Sequence, residues 1–173
     1  MDKIFLKKDD LIKIANIAAR RQDNKEDNNV ESKKWTTSMS EFCCHYEGVI
    51  TEYAAMLALG LLDAADQMEK LEELFYAGDG GWDFEYNGRQ CDVKKVSWTK
   101  RGEVLIINPP GPKALITIGC RITGPTCIDV IGVIGEKAFM ENKQDHNFGY
   151  GDRFFVPVEA LAELDMLRNL KPA

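Results

Sequence analysis

No Cys-x-x-Cys pair occurs in this sequence, and histidine is scarce, with two in 173 residues. The five cysteines, Cys43, Cys44, Cys91, Cys120 and Cys127, are odd in number and irregularly spaced. That argues against a disulfide framework and predicts free thiols in a reducing, cytoplasmic setting. Cys43, Cys44 and His45 are consecutive, and neighbours on a helix point in different directions, so they do not form a zinc site. No apolar run reaches the roughly 20 residues of a membrane helix. Only Ile4, Phe5 and Leu6 are apolar between Met1-Asp2-Lys3 and Lys7, which is unlike a secretory signal. An excess of positive charge is also missing. Lys and Arg number 22 against 28 Asp and Glu, for a net charge of −6. A broad basic face for nucleic acid is therefore not expected, and cationic function falls to local clusters: Lys7-Lys8, Arg20-Arg21, Lys33-Lys34, Lys94-Lys95 and Lys100-Arg101.

What is present suits one globular domain. The chain is 45% hydrophobic and 29% charged, and long enough for a substantial core. Leu11, Ile12, Ile14, Ala15, Ile17 and Ala18 give Asp9 to Arg21 an apolar helical side, and the polar run from Gln22 to Lys34 reads as a mobile loop. A long helix is predicted from about Met39 to Leu59. Ser38 and Glu41 form a capping box, Gly60 stops it, and Phe42, Tyr46, Val49, Ile50, Tyr53 and Leu57 build its core stripe. On that helix His45, Gly48 and Glu52 share one side, with Gly48 leaving room for a close approach. A short helix is expected over Asp63 to Phe75. Strands are expected at Glu103–Ile107, Ala114–Arg121 and Cys127–Ile134, then a helical turn at Glu136–Glu141 and a polar loop over Asn142–Asp152. An edge strand at Phe154–Val156 and a closing helix from Val158 to Leu167 complete the chain. No internal repeat and no second domain boundary is visible.

The chain is organised around the stretch from Gly78 to Val96, GDGGWDFEYNGRQCDVKKV. Asn87-Gly88 between two β-prone runs is a strong hairpin signal, because both residues tolerate positive φ. Trp82 to Tyr86 and Arg89 to Val96 are thus predicted to pair antiparallel. Side chains alternate along a strand, so Asp92 and Lys94 share a face, while Cys91, Val93 and Lys95 take the other. Asp83 lies across from the Asp92 face. Two carboxylates suit a hard divalent cation such as Mg2+, and a lysine beside it can orient or deprotonate water or stabilise developing charge. The plainer alternative is solvated charge on an edge hairpin. The glycine-rich turn is not a nucleotide P-loop, since no Gly-Lys-Ser/Thr follows. For Arg20, Arg21, Lys33 and Lys34, a solvated surface competes with phosphate contact by a flexible arm.

These motifs, taken in order over roughly residues 38 to 167, resemble the PD-(D/E)xK nuclease superfamily, in particular its small phage-type or restriction-like members. The likeness lies in Gly48-x-x-x-Glu52 with Leu59-Gly60, in Gly78 to Asp83, in Asp92-Val93-Lys94, and in the ending FGYGDRFFVPVEAL. Trp82 stands where such proteins often have proline, and Asp92 where glutamate is commoner. The resemblance implies an α/β fold with a central mixed sheet flanked by helices, and a Mg2+-dependent deoxyribonuclease. Asp83, Asp92 and the Val93 carbonyl would be ligands of Mg2+ or Mn2+, Lys94 would position or activate water, and Glu52 would orient water or hold a second metal. DNA is the expected partner, contacted by Arg20, Arg21, Lys95, Lys100 and Arg101, with a homodimer allowed and no membrane. Residues 1–37 would be an N-terminal helix and loop appended to a nuclease-like domain at 38–173, working in the cytoplasm, or the host cytoplasm for a viral member. The alternative is a non-enzymatic interaction or inhibitor protein, such as a viral accessory factor, on the same fold.

Overall fold

The computed structural model describes residues 1–27 (backbone alone for 24–27), 40–61, 82–149 and 151–172. The helix expected over Asp63 to Phe75 and the glycines at 78, 80 and 81 lie outside the described residues. The fold is mixed α/β and a single domain, built on two sheets. The larger has the order β1 (Asp2–Phe5), β7 (Cys127–Gly135), β6 (Ile116–Gly124), β3 (Arg89–Lys95), β2 (Phe84–Tyr86). Its β3–β6 pair is parallel and the others antiparallel. The smaller sheet is antiparallel, with the order β4 (Ser97–Thr99), β5 (Gly102–Ile107), β9 (Asp152–Pro157), β8 (Gln144–Asn147). Only Val96 separates β3 from β4, so the strand bearing Asp92 and Lys94 feeds directly into the second sheet.

Helices α1 (Lys8–Asp27) and α2 (Glu41–Ala58) pack on each other, and α2 packs on the larger sheet. Ile14, Ile17 and Ala18 meet Val49, Ile50, Tyr53 and the small Ala54 and Ala55, all buried in one core with Cys91, Val93 and Ile118. Tyr53 Oη donates to Asp10 Oδ1 at 2.9 Å. Leu6, Ile14, Ile17 and Ala18 thus belong to the same core, brought there by β1 on β7 and α1 on α2. Val96, Leu105, Ile107, Ile134, Phe139 and Val156 form a second apolar cluster drawn from both sheets and α3 (Glu136–Asn142).

Several sequence expectations need correction. Helix α1 runs on to Asp27, so residues 22–27 are not loop; no glycine or proline interrupts them, and Gln, Lys and Glu suit a helix. Ser40 caps α2, its side chain accepting from Cys43 N at 3.2 Å, while Ser38 of the expected capping box lies outside the described residues. Phe42 lies at the surface, 38% exposed and stacked on Tyr46, rather than in the core stripe. The polar segment after α3 contains β8, whose His146 and Lys143 flank pack on Phe155 and Phe154. β9 is therefore interior, not an edge. The expected closing helix is broken into a 3-10 turn (Val158–Ala160), an extended link and α4 (Leu164–Arg168). The link exists because Ala162 and Val133 exchange two backbone hydrogen bonds of 2.8 Å, a pairing no helix permits. Gly132 allows it, since a Cβ there would collide with the Ala162 carbonyl.

Candidate active site

The β2–β3 hairpin turns at Asn87 and Gly88, with φ of 50° and 75°, the positive pair a two-residue turn requires. It is tied down where Arg89 Nη1 donates to Lys171 O at 2.7 Å. β2 begins at Phe84 while β3 continues to Lys95, so the far end of β3 lacks a partner from β2. Asp83 fills that gap. Its N–H donates to Cys91 O at 2.8 Å, and its Oδ2 accepts from Val93 N at 2.6 Å. The side chain takes the place of the next strand residue, which fixes it beside β3.

Alternation along β3 does the rest. Lys94 Nζ pairs with Asp92 Oδ1, while Lys95 on the opposite face reaches Glu47 Oε2 at 2.5 Å. Asp92 is buried; Asp83 and Lys94 each keep part of their surface open. From α2, Glu52 is buried and receives Arg21 of α1 in a two-pronged pair, Nη1 to Oε1 at 2.9 Å and Nη2 to Oε2 at 2.7 Å. An added Cβ at Gly48 would meet Glu52 Oε1 at 3.6 Å, an ordinary contact, so no clash within the chain demands glycine there.

The charges act on each other. Asp83 is pushed well above the usual carboxylate range, first by desolvation, then by the Glu52 and Asp92 charges, against relief from Lys94 and the Val93 amide. Asp92 is raised too, by desolvation, with Lys94 opposing, Glu52 adding, and a hydrogen bond with Asp83 lowering it. Desolvation works against the Lys94 ammonium, but Asp92, Asp83 and Glu52 outweigh it and hold its pKa above the ordinary lysine value. Without a cation, then, burial and the neighbouring carboxylates favour the protonated form at Asp83 and Asp92.

The structure brings Asp83, Asp92 and Lys94 together and sets Glu52 within electrostatic reach, its two oxygens engaged by Arg21. Among the described residues, no three His, Cys, Asp or Glu side chains are grouped as a metal cage. Mg2+ needs less than that, often one or two carboxylates with waters and phosphate, and the adjacent Asp83 and Asp92 carboxylates fit such a half-site. The expected DNA contacts divide. Arg21 belongs to Glu52, and Lys95 to Glu47. Arg20 and Lys100 are exposed. Arg101 stands at the β4–β5 turn with Nη2 3.5 Å from His146 Nδ1 and its guanidinium 5.7 Å from the Phe155 ring centre.

Sequence reasoning did not foresee three features. One is the Arg21–Glu52 clamp, which joins residues 31 apart and leaves no local spacing to read. Another is Trp98, 80% exposed on β4. The third is Thr117, which lies beside Asp92 in the parallel register. Comparison with protein-family models, with curated proteins and with solved structures returns no match.

Proposed function

We propose that this chain is a metal-dependent DNA nuclease that hydrolyses phosphodiester bonds, as the likeness to PD-(D/E)xK nucleases implies. The observation that carries the reading is the imbalance of charge at one place. Three carboxylates, Asp83, Asp92 and Glu52, face two cations, Lys94 and Arg21. The excess of buried negative charge raises the pKa values of both aspartates, and a divalent cation would offset it.

Asp83 and Asp92 would hold Mg2+ or Mn2+, with the Val93 carbonyl beside them. The ion would stabilise charge developing on the phosphate and lower the pKa of a bound water. Lys94, with 38% of its side chain exposed, would turn from Asp92 to the attacking water or a phosphate oxygen. Asp83 cannot swing away without abandoning the Val93 amide, which makes it the fixed member of the pair. Arg21 holds Glu52 in a single orientation, from which its charge supports the cation without crowding it. Arg20, Lys95, Lys100 and Arg101 supply phosphate contacts. Five free thiols suit a reducing cytoplasm, and among the described residues no helix is long and apolar enough to cross a membrane.

A second reading, a non-enzymatic interaction protein on this fold, draws support from the net charge of −6 and from the closed pairs Lys94–Asp92 and Arg21–Glu52. Calorimetry with Mn2+ and cleavage of linear, nicked, branched and single-stranded DNA decide between them, with Asp92→Ala as the contamination control. Binding and EDTA-sensitive cleavage lost in Asp92→Ala support the nuclease. Cleavage of no substrate, or equal cleavage by Asp92→Ala, leaves the interaction protein.

A further inference from the structure

Thr117 on β6 is fully buried, and its Oγ1 has no hydrogen-bond partner among the described residues. A hydroxyl removed from water without a partner is destabilising, so such a group calls for a reason. Its position offers one. In the parallel β3–β6 pair Thr117 stands opposite Asp92, and parallel neighbours project from the same face of the sheet. On its other side, Thr117 faces Ile134 of β7, a member of the second apolar cluster. The hydroxyl is therefore wedged between an apolar wall that offers it nothing and the carboxylate whose Oδ1 is taken by Lys94.

We propose that Thr117 is a positioning residue for Asp92, its hydroxyl donating to the Asp92 carboxylate in the state in which Lys94 has left it. This rests on the metal-site reading above. Strands in a sheet lie roughly 4.8 Å apart, so the Thr117 and Asp92 side chains are direct neighbours on one face. When Lys94 turns to substrate, Asp92 loses the Lys94 donor while buried, keeping among the described residues only its hydrogen bond with Asp83. Carboxylates that ligate metals are held in turn by hydrogen bonds, and loss of such a partner typically weakens metal binding 10- to 100-fold. Thr117 is placed to be that partner, and the unsatisfied hydroxyl is what it looks like while Lys94 stands in.

The experiment compares wild type, Thr117→Val and Thr117→Ser by thermal melting in EDTA, by Mn2+ calorimetry and by cleavage, with Asp92→Ala alongside. Valine matches threonine in shape and removes only the hydroxyl. The expected result is a Thr117→Val protein at least as stable as wild type without metal, yet binding Mn2+ roughly tenfold more weakly or worse. Thr117→Ser should restore the affinity. Mn2+ affinity in Thr117→Val equal to wild type overturns the inference, as does a loss that serine fails to rescue. Wild type that binds no Mn2+, or that binds it no better than Asp92→Ala, overturns the metal site and the inference with it.

Discussion

Asp83 Oδ2 accepts the backbone amide of Val93 at 2.6 Å, ten residues further along the chain. The contact turns an acidic side chain into the last rung of a hairpin. It also holds a carboxylate beside Asp92, one residue earlier on β3, in a place where burial first, and then the Glu52 and Asp92 charges, push the Asp83 pKa well above the usual carboxylate range. Folding places the two acids together before any cation arrives, and folding carries the cost.

That cost sets a pH dependence. The folded chain holds a proton on the aspartate pair at pH values where the unfolded chain, with carboxylates near 4, has released it. Stability from these groups is therefore greatest at low pH and falls as pH rises from about 4 towards the raised folded values. Asp83→Asn keeps an oxygen to accept from Val93 N and removes the repulsion. In EDTA its melting temperature should exceed wild type, with a gap that widens between pH 5 and pH 8. A variant less stable than wild type at pH 8 would mean that the Asp83 charge is stabilising, against the repulsion argued here.

Lys94 and Lys95 separate two roles on opposite faces of one strand. Lys94→Ala should reduce cleavage by roughly 10²- to 10⁴-fold, the usual contribution of a positioned proton-transfer group, while Mn2+ binding persists. Lys95 forms an exposed pair with Glu47, and such pairs contribute about 0–1 kcal/mol. Lys95→Ala should leave stability and cleavage at saturating DNA unchanged and weaken DNA affinity alone. Reversed phenotypes would place the reacting groups on the other face of β3.

The hairpin, its Asn87-Gly88 turn and the face-sharing of Asp92 and Lys94 were legible because each depends on local rules: positive φ at the turn and a period of two along the strand. The two long strands β6 and β7 were legible as apolar runs. What escaped reading was non-local. β1 is four residues whose strand state comes from pairing with β7, and β8 is a polar segment recruited by β9. The Leu161–Ala162 link looks helical by spacing and is extended because Val133 claims its backbone. Arg21 looked like a surface cation because its partner lies on another helix, and Thr117 acquires meaning only once β6 is known to run parallel to β3.

The Arg21–Glu52 clamp predicts a large stability effect for a residue outside the reacting groups. Removing one partner of a buried ion pair leaves the other charge uncompensated, which typically costs about 3–5 kcal/mol. Arg21 retains some exposure, so Arg21→Ala should fall near the lower end, about 3 kcal/mol by chemical denaturation. Adding Glu52→Gln to it should recover much of the loss, because the stranded charge is gone. A double variant no more stable than Arg21→Ala would show that packing of the arginine stem, and not the ion pair, is what matters.

DNA binding should be only weakly salt-dependent for a nuclease. Arg21 is committed to Glu52, which leaves Arg20, Lys95, Lys100 and Arg101 as the expected phosphate contacts, and Lys95 must give up Glu47 to serve. Each phosphate neutralised on duplex DNA contributes about −0.9 to the slope of log K against log salt. Three to four contacts then give a slope of about −3, measured by titration with Ca2+ in place of Mg2+ so that binding proceeds with little cutting. Lys100→Ala and Arg101→Ala should each flatten the slope by about one phosphate's share. A slope near zero with cleavage intact would mean that the metal site itself, rather than the surface cations, holds the DNA. A steep slope near −8 would require a basic face that a chain of net charge −6 does not offer among these residues, and would point to a second copy of the chain sharing the duplex.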